Sequence, residues 1–354
     1  MRILSFSCRN FRNLEELSVS DFDEMNVICG ENAQGKTNML EGLWLFTGMK
    51  SFRGAKDSEY VFFGREKSDL KLSFVSGGIK NDAGLEITAR RQAALNGKKL
   101  KAVSELAGKF NAAVFSPSDS EIVGGGPSLR RKFIDSAIGQ IYPAYISLIK
   151  NYTRAVTQRN SIIKDYKNDG SLSVMLDVFE NEIASGAQKI IKFRRRYIEK
   201  IKNFLPDIYG GISSGKERLD AEYILSYEGD NLADVLKQAR IRDMYTGSTS
   251  AGPHRDDIEF KINGIPARSF GSQGQKRSVA LALKLCEAEI IKNVSGEYPV
   301  FLLDDVMSEL DPERQSYILN HIKGIQAFIT CCDPSNIQNL KQGKIINIKN
   351  GQVV

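Results

Sequence analysis

The chain is poor in the residues on which several protein classes depend. It has two histidines and five cysteines in 354 residues. Cys8, Cys29, Cys286, Cys331 and Cys332 are odd in number, lie in or beside apolar runs and show no metal-ligand spacing. Buried free thiols are therefore expected, not a disulfide framework or a zinc site. No stretch approaches the roughly 18 consecutive apolar residues of a membrane span. Residues Met1 to Phe11 mix arginines and polar residues with apolar ones and lack a signal-peptide core, which points to the cytoplasm. Internal repeats and low-complexity tracts are absent too. What remains is the composition of an ordinary globular protein, 42% hydrophobic and 26% charged. A net charge of +6 permits an anionic partner without requiring one.

Against that background one stretch stands out, Gly30-Glu31-Asn32-Ala33-Gln34-Gly35-Lys36-Thr37. It reads G-x-x-x-x-G-K-T, a phosphate-binding loop. The alternating run Met25 to Cys29 before it reads as a strand, and Thr37 to Phe46 after it as a helix. The glycines let successive backbone N–H groups turn inward, and the helix N-terminus adds positive potential. In this arrangement Lys36 reaches the β- and γ-phosphates of a nucleotide, and the Thr37 hydroxyl ligates Mg²⁺. Far downstream, Val300-Phe301-Leu302-Leu303-Asp304-Asp305 is an apolar run ending in two carboxylates. It is expected as the strand beside the P-loop strand, with Asp304 holding Mg²⁺ through water and Asp305 orienting or deprotonating the attacking water.

Between these halves the chain changes character. Residues 60 to 115 hold short apolar runs, Leu70–Phe74, Leu85–Ala89 and Val114–Phe115, with hairpin signals at Gly77-Gly78 and Asn96-Gly97. An antiparallel meander is expected. Its cluster Arg90, Arg91, Lys98, Lys99 and Lys101 reads equally as a protected strand edge or a DNA-backbone contact. From Pro127 to about Phe204 apolar residues recur at three and four, with a turn at Asn168-Asp169-Gly170 separating two helical arms that Pro206 and Gly210-Gly211 end. Arg130 and Arg131 on the first arm, with Lys189, Lys192, Arg194, Arg195 and Arg196 on the second, form a basic surface suited to nucleic acid or to plain solvation. Leu219 to Ser226 is a further strand, and Asn263-Gly264 turns the strand that begins near Ile258. His254 beside Asp256 and Asp257 is read as structural or at a dimer surface, not as a metal ligand.

Gly271-Ser272-Gln273-Gly274-Gln275, just before the helix Lys276 to Lys292, resembles the signature motif of ABC-type ATPases. Ser308-Glu309-Leu310-Asp311 falls where such proteins carry a D-loop. With Arg9 to Asn13, Phe115-Ser116-Pro117, Gly125-Gly126-Pro127, Arg130 to Asp135, Gln158-Arg159-Asn160 and Gly252 to Asp256, these motifs resemble the RecF family of SMC-like ATPases over nearly the whole chain. The resemblance implies an α/β P-loop fold of the ABC/SMC-head type, with residues 1–115 and 246–354 forming an ATPase lobe and 116–245 an inserted helical lobe. It implies a homodimer closed by ATP, in which Ser272, Gly274 and Gln275 complete the partner's nucleotide site. It further implies binding to DNA at single-strand gaps, action with RecR and RecO in RecA loading, and links to recombinational repair, replication and the SOS response.

Several positions depart from the pattern. Ser116-Pro117 replaces the Q-loop glutamine, Ser118 an acid, Gly271 a leucine, and Asp305 the longer glutamate, while Thr330 occupies the place of the switch histidine. These departures suggest slow hydrolysis, a DNA-dependent switch and not a motor. Arg12 is open between an approach to nucleotide or DNA and a surface ion pair. The competing functions are the soluble ATPase subunit of a transporter and an ATP-binding scaffold with little hydrolysis.

Overall fold

The computed structural model describes residues 1–166, 173–307, 310–332 and 343–354. The turn expected at Asn168 to Gly170 lies outside the described residues, as do Ser308 and Glu309 of the D-loop segment. The chain forms two compact units. The first comprises Met1–Ser120, Asp207–Glu217 and Arg277–Val354, the second Glu121–Pro206 and Arg218–Lys276. These units differ from the expected lobes, since residues 246–276, with the signature, fall in the helical unit, and Asp207–Glu217 falls in the first.

The first unit contains two six-stranded sheets. One is antiparallel, ordered Leu14–Ser20, Arg2–Phe11, Ser68–Ser76, Ile79–Ile87, Arg91–Leu95, Lys98–Lys99. Leu70, Leu72 and Phe74 are buried while Lys71 between them is exposed, the period-2 pattern of a half-buried strand. Gly77 and Gly78 have φ of 57° and 76°, and Asn96 and Gly97 of 51° and 77°, so both expected hairpins turn through left-handed residues. Lys98–Lys99 is the sheet's edge strand, which suits charge. Arg91 instead pairs with Asp57 at 3.0 Å.

The second sheet is ordered Gln352–Val353, Lys344–Lys349, Met25–Cys29, Ala327–Cys331, Val300–Leu303, Ala112–Phe115, and all but its first pair are parallel. Two expectations change here. Val114–Phe115 belongs to this sheet and not to the meander, and Val300–Leu303 is separated from Met25–Cys29 by Ala327–Cys331. Strands buried on both faces carry no alternation, so sequence pattern leaves their order open. Val27, Ile28, Val300, Leu302, Phe328 and Ile329 are each fully buried in it.

The helical unit holds Pro127–Ile141, Pro143–Tyr166 and most of Ser173–Ile212, with the three-stranded sheet Ile265–Pro266, Asp257–Ile262, Leu219–Ile224. The first arm is thus two helices. Tyr142 leaves the helix at φ −126°, ψ 86° because the ring of Pro143 excludes the helical region at the preceding residue. Pro206, expected to end a helix, instead lies inside the 40-residue helix Ser173–Ile212. An interior proline costs about 3 kcal/mol. Burial of Ile208, Tyr209 and Ile212 in the first unit offsets it. Among the described residues no helix is long and apolar enough to cross a membrane.

Candidate nucleotide site

Met25–Cys29 ends at the Gly-rich loop, and the helix Lys36–Leu45 begins from it. Gly35 precedes the helix with φ 112°, and a Cβ there would sit 2.5 Å from the Leu14 side chain. Only glycine fits that position. The loop is pinned from outside, since Asn13 Nδ2 donates to Ala33 O at 2.8 Å and Gly351 N to Gln34 O at 3.2 Å. Lys36 Nζ donates to Gly30 O at 2.5 Å and Glu31 O at 2.9 Å. Asn32 Oδ1 accepts from the Cys332 thiol.

The two carboxylates arrive where the sequence requires them. Thr37 Oγ1 donates to Asp304 Oδ1 at 2.7 Å although 267 positions separate the two residues. A hydroxyl and a carboxylate so close form an oxygen donor set of the kind Mg²⁺ takes. Burial pushes the Asp304 carboxyl up, while the donors Thr37 and Thr330 pull it down. Asp305 follows with φ 52°, a left-handed conformation that aspartate tolerates better than most residues. A cavity of about 240 Å³ opens beside the loop, lined by Asn32 to Asn38, Arg53, Asp305 and Thr330.

Thr330 does more here than fill a vacant position. Its Oγ1 donates to Asp304 Oδ1 at 3.0 Å and accepts from the Asp305 N–H at 2.8 Å. It is 1% exposed. One hydroxyl therefore ties both acids together. Arg53 was not anticipated at the site, and no local motif marks it. It joins through Asn38 Oδ1 at 2.9 Å and Glu41 Oε2 at 3.6 Å. Arg12 makes an ion pair, donating to the buried Glu41 at 2.8 Å and lying 5.1 Å over the Tyr60 ring.

In the helical unit, Ser272 and Gln275 cap the helix Gln273–Ser295 reciprocally. Gln275 N donates to Ser272 Oγ at 3.2 Å and Ser272 N to Gln275 Oε1 at 2.8 Å. Gly271 is explained locally, because a Cβ would meet Ala267 O at 2.5 Å.

The basic surface divides. Lys189, Lys192, Arg195 and Arg196 are exposed. Arg130 and Arg194 are buried and engaged in ion pairs within the fold. Arg130 grips Asp257 at 2.6 and 2.9 Å, and Arg194 grips Asp135 at 2.9 and 2.8 Å while donating to Pro253 O at 2.6 Å. Arg131 is half-buried and donates to Asp256 O at 2.6 Å. The sequence carried a signal for this. Ile183, Ala187, Ile190, Arg194, Tyr197 and Ile201 recur at four and three and are all buried, so Arg194 occupies a core position. The motif Gln158-Arg159-Asn160 has the same role. Arg159, fully buried, binds Glu180 at 3.0 Å and Asp243 at 2.7 Å. His254 sits in a local network, with Nδ1 2.7 Å from Tyr152 Oη and Nε2 3.0 Å from Thr249 O. Of the five thiols four are buried and Cys332 is exposed, against expectation.

The RecF/RecN/SMC N terminal domain matches residues 2–353. DNA replication and repair protein RecF of Lachnospira eligens is 38% identical over 360 residues, covering 100% of this chain and 99% of that protein. The chain belongs to the RecF family. RecF of Clostridium perfringens is 35% identical with the same coverage. The solved structure of the recombination mediator protein RecF-ATP in the RecFOR pathway superposes with a TM-score of 0.92 at 36% identity, covering 100% of this chain and 97% of that one. An Smc head domain from Pyrococcus furiosus, at 17% identity and a TM-score of 0.56, shares the fold. The α/β P-loop architecture of ABC/SMC heads is therefore established, and with it a place among DNA replication and repair proteins.

Proposed function

We propose that this protein is an ATP-driven, DNA-binding switch of recombinational repair. The observation that carries the proposal is the meeting of Thr37, Asp304, Thr330 and Asp305 at the P-loop cavity. The loop's N–H groups and Lys36 bind the phosphates of ATP. Thr37 and, through water, Asp304 would hold Mg²⁺, which would offset phosphate charge when bound. Asp305 lines the same cavity and accepts the proton of the attacking water. A RecF relative solved with ATP supports the choice of nucleotide.

In this reading Ser272, Gly274 and Gln275 of a second copy complete the site, so that ATP closes a homodimer and slow, DNA-stimulated hydrolysis opens it. The closed dimer sits at single-strand gaps in the cytoplasm and, with RecR and RecO, helps RecA replace single-strand binding protein. Kinship with RecF proteins of the RecFOR pathway supports these partners.

Sedimentation with ATP or ADP, with and without gapped DNA, tests the switch. Lys36→Arg should abolish ATP-dependent dimers, and Asp305→Asn should prolong them. Asparagine accepts the φ of 52° at this position, so the substitution removes charge without altering the backbone. An unchanged dimer lifetime in Asp305→Asn would refute the hydrolytic timer.

A further inference from the structure

Lys189, Lys192, Arg195 and Arg196 stand on one face of the helix Ser173–Ile212, over about 10 Å of its axis. They form one wall of a cleft of about 800 Å³ inside the helical unit. The facing wall is the segment Leu225 to Leu232, which presents Tyr227 and Asn231. Asp230 is the single carboxylate among the lining residues, so cations outnumber acids four to one. Elsewhere in the chain exposed lysines find acids, as Lys67 does with Glu86 and Lys261 with Glu222. Among the described residues none of the four cleft cations is within ion-pair distance of an acid. They repel one another across a concave surface, and an anionic occupant relieves that repulsion.

The shape narrows the choice of occupant. A volume of about 800 Å³ matches a site for a small ligand or a single strand and is far too small for a duplex. Tyr227 is half-buried, lines the cleft with Arg195 and Arg196, and offers a ring beside the cations. A positive groove with an aromatic platform is the general solution for single strands, because every base has a face to stack and every linkage a phosphate to neutralise. An acidic peptide would use the cations and leave the ring without a role.

We infer that this cleft binds single-stranded nucleic acid, with the four cations on phosphates and Tyr227 beneath a base. The inference rests on the DNA-binding reading above and assigns to this surface the unpaired strand beside a duplex.

Fluorescence anisotropy of the full chain tests it, with a labelled oligothymidylate of about 12 nucleotides and a blunt duplex of about 20 base pairs. Lys192→Ala/Arg195→Ala should flatten the single-strand log–log salt slope by about 1.4 and weaken binding at least about tenfold. Tyr227→Ala should weaken it roughly tenfold, Tyr227→Phe should retain it, and duplex affinity should change less than about twofold. Equal losses on both DNA forms would overturn the inference. So would no loss on either, or displacement of the strand by oligoglutamate as readily as by unlabelled oligothymidylate. A wild-type protein that binds neither form refutes the DNA reading itself. One that binds duplex normally while the variants keep their single-strand affinity refutes the cleft alone.

Discussion

Replacing Thr330 by valine tests how the two acids of the site are coupled. The substitution keeps shape and β-branching and removes one hydroxyl. That hydroxyl makes two bonds, a 3.0 Å donation to Asp304 and a 2.8 Å acceptance from the Asp305 N–H. A bond to a charged carboxylate is worth about 1.5–3 kcal/mol and a backbone N–H bond about 1 kcal/mol. Asp305 also holds a left-handed φ of 52°, which this acceptor helps to keep. Without it the backbone relaxes and the carboxylate loses its aim. A misplacement costing about 1.4–2.8 kcal/mol in the transition state lowers kcat about 10- to 100-fold. ATP affinity should change less than about threefold, because the phosphates are held by the loop and Lys36. Thr330→Ser restores both bonds and should recover most of the rate. Steady-state ATP hydrolysis, with nucleotide affinity from equilibrium titration, separates the two effects. The reasoning fails if valine leaves kcat unchanged, if ATP affinity falls as far as kcat, or if serine is as poor as valine.

Other substitutions reach different parts of the molecule. Arg194→Met leaves the partly exposed Asp135 with its Tyr145 bond but without the guanidinium that grips it, and should destabilise the protein by about 1.5–3 kcal/mol in urea, whereas Lys189→Met should cost under about 0.5 kcal/mol. Equal costs would contradict the sorting of the basic residues. Burial holds His254 below its ordinary pKa, so the unfolded chain takes up its proton at a higher pH than the folded one. The stability this residue contributes is present above about pH 6.5 and is lost as pH falls towards the lowered folded value. The urea midpoint of wild type should therefore drop more between about pH 7.5 and 5.5 than that of His254→Gln, and parallel profiles would exclude the effect. Cys332 lies 3.6 Å from Lys36 Nζ and is the exposed thiol of the five. Mass spectrometry should find it alkylated first by iodoacetamide, with saturating ATP slowing the reaction at least about tenfold; labelling indifferent to ATP would separate this thiol from the nucleotide.

The P-loop was legible because eight contiguous residues carry its pattern, and the strand Met25–Cys29 and the helix Lys36–Leu45 flank it as that pattern requires. The signature helix start was legible for the same reason, since a capping box is a local pattern. The arrangement of the acids was only half legible. The carboxylates could be named from the end of an apolar run, but Thr330 acquires its meaning from the order of three parallel strands. Ala327–Cys331 lies between Met25–Cys29 and Val300–Leu303, and that insertion is what lets one hydroxyl reach both Asp304 and the Asp305 N–H. Nothing in a fully apolar strand records its neighbours.

The basic helix shows the opposite case, in which the information was present and charge obscured it. Arg194, Arg195 and Arg196 are consecutive, so about 100° of helix rotation separates each from the next. Composition treats them alike. Periodicity does not, because Arg194 alone is in phase with Ile190, Tyr197 and Ile201. An arginine in phase with a core stripe needs partners for its charge, and the partly exposed Asp135 supplies them along with the carbonyl of Pro253. The neighbours out of phase face the cleft with Lys192. One run of three arginines thus divides between two tasks, folding the helical unit and presenting charge to an anion. A basic cluster on a helix becomes an argument about function only after the core-phase members have been removed from it.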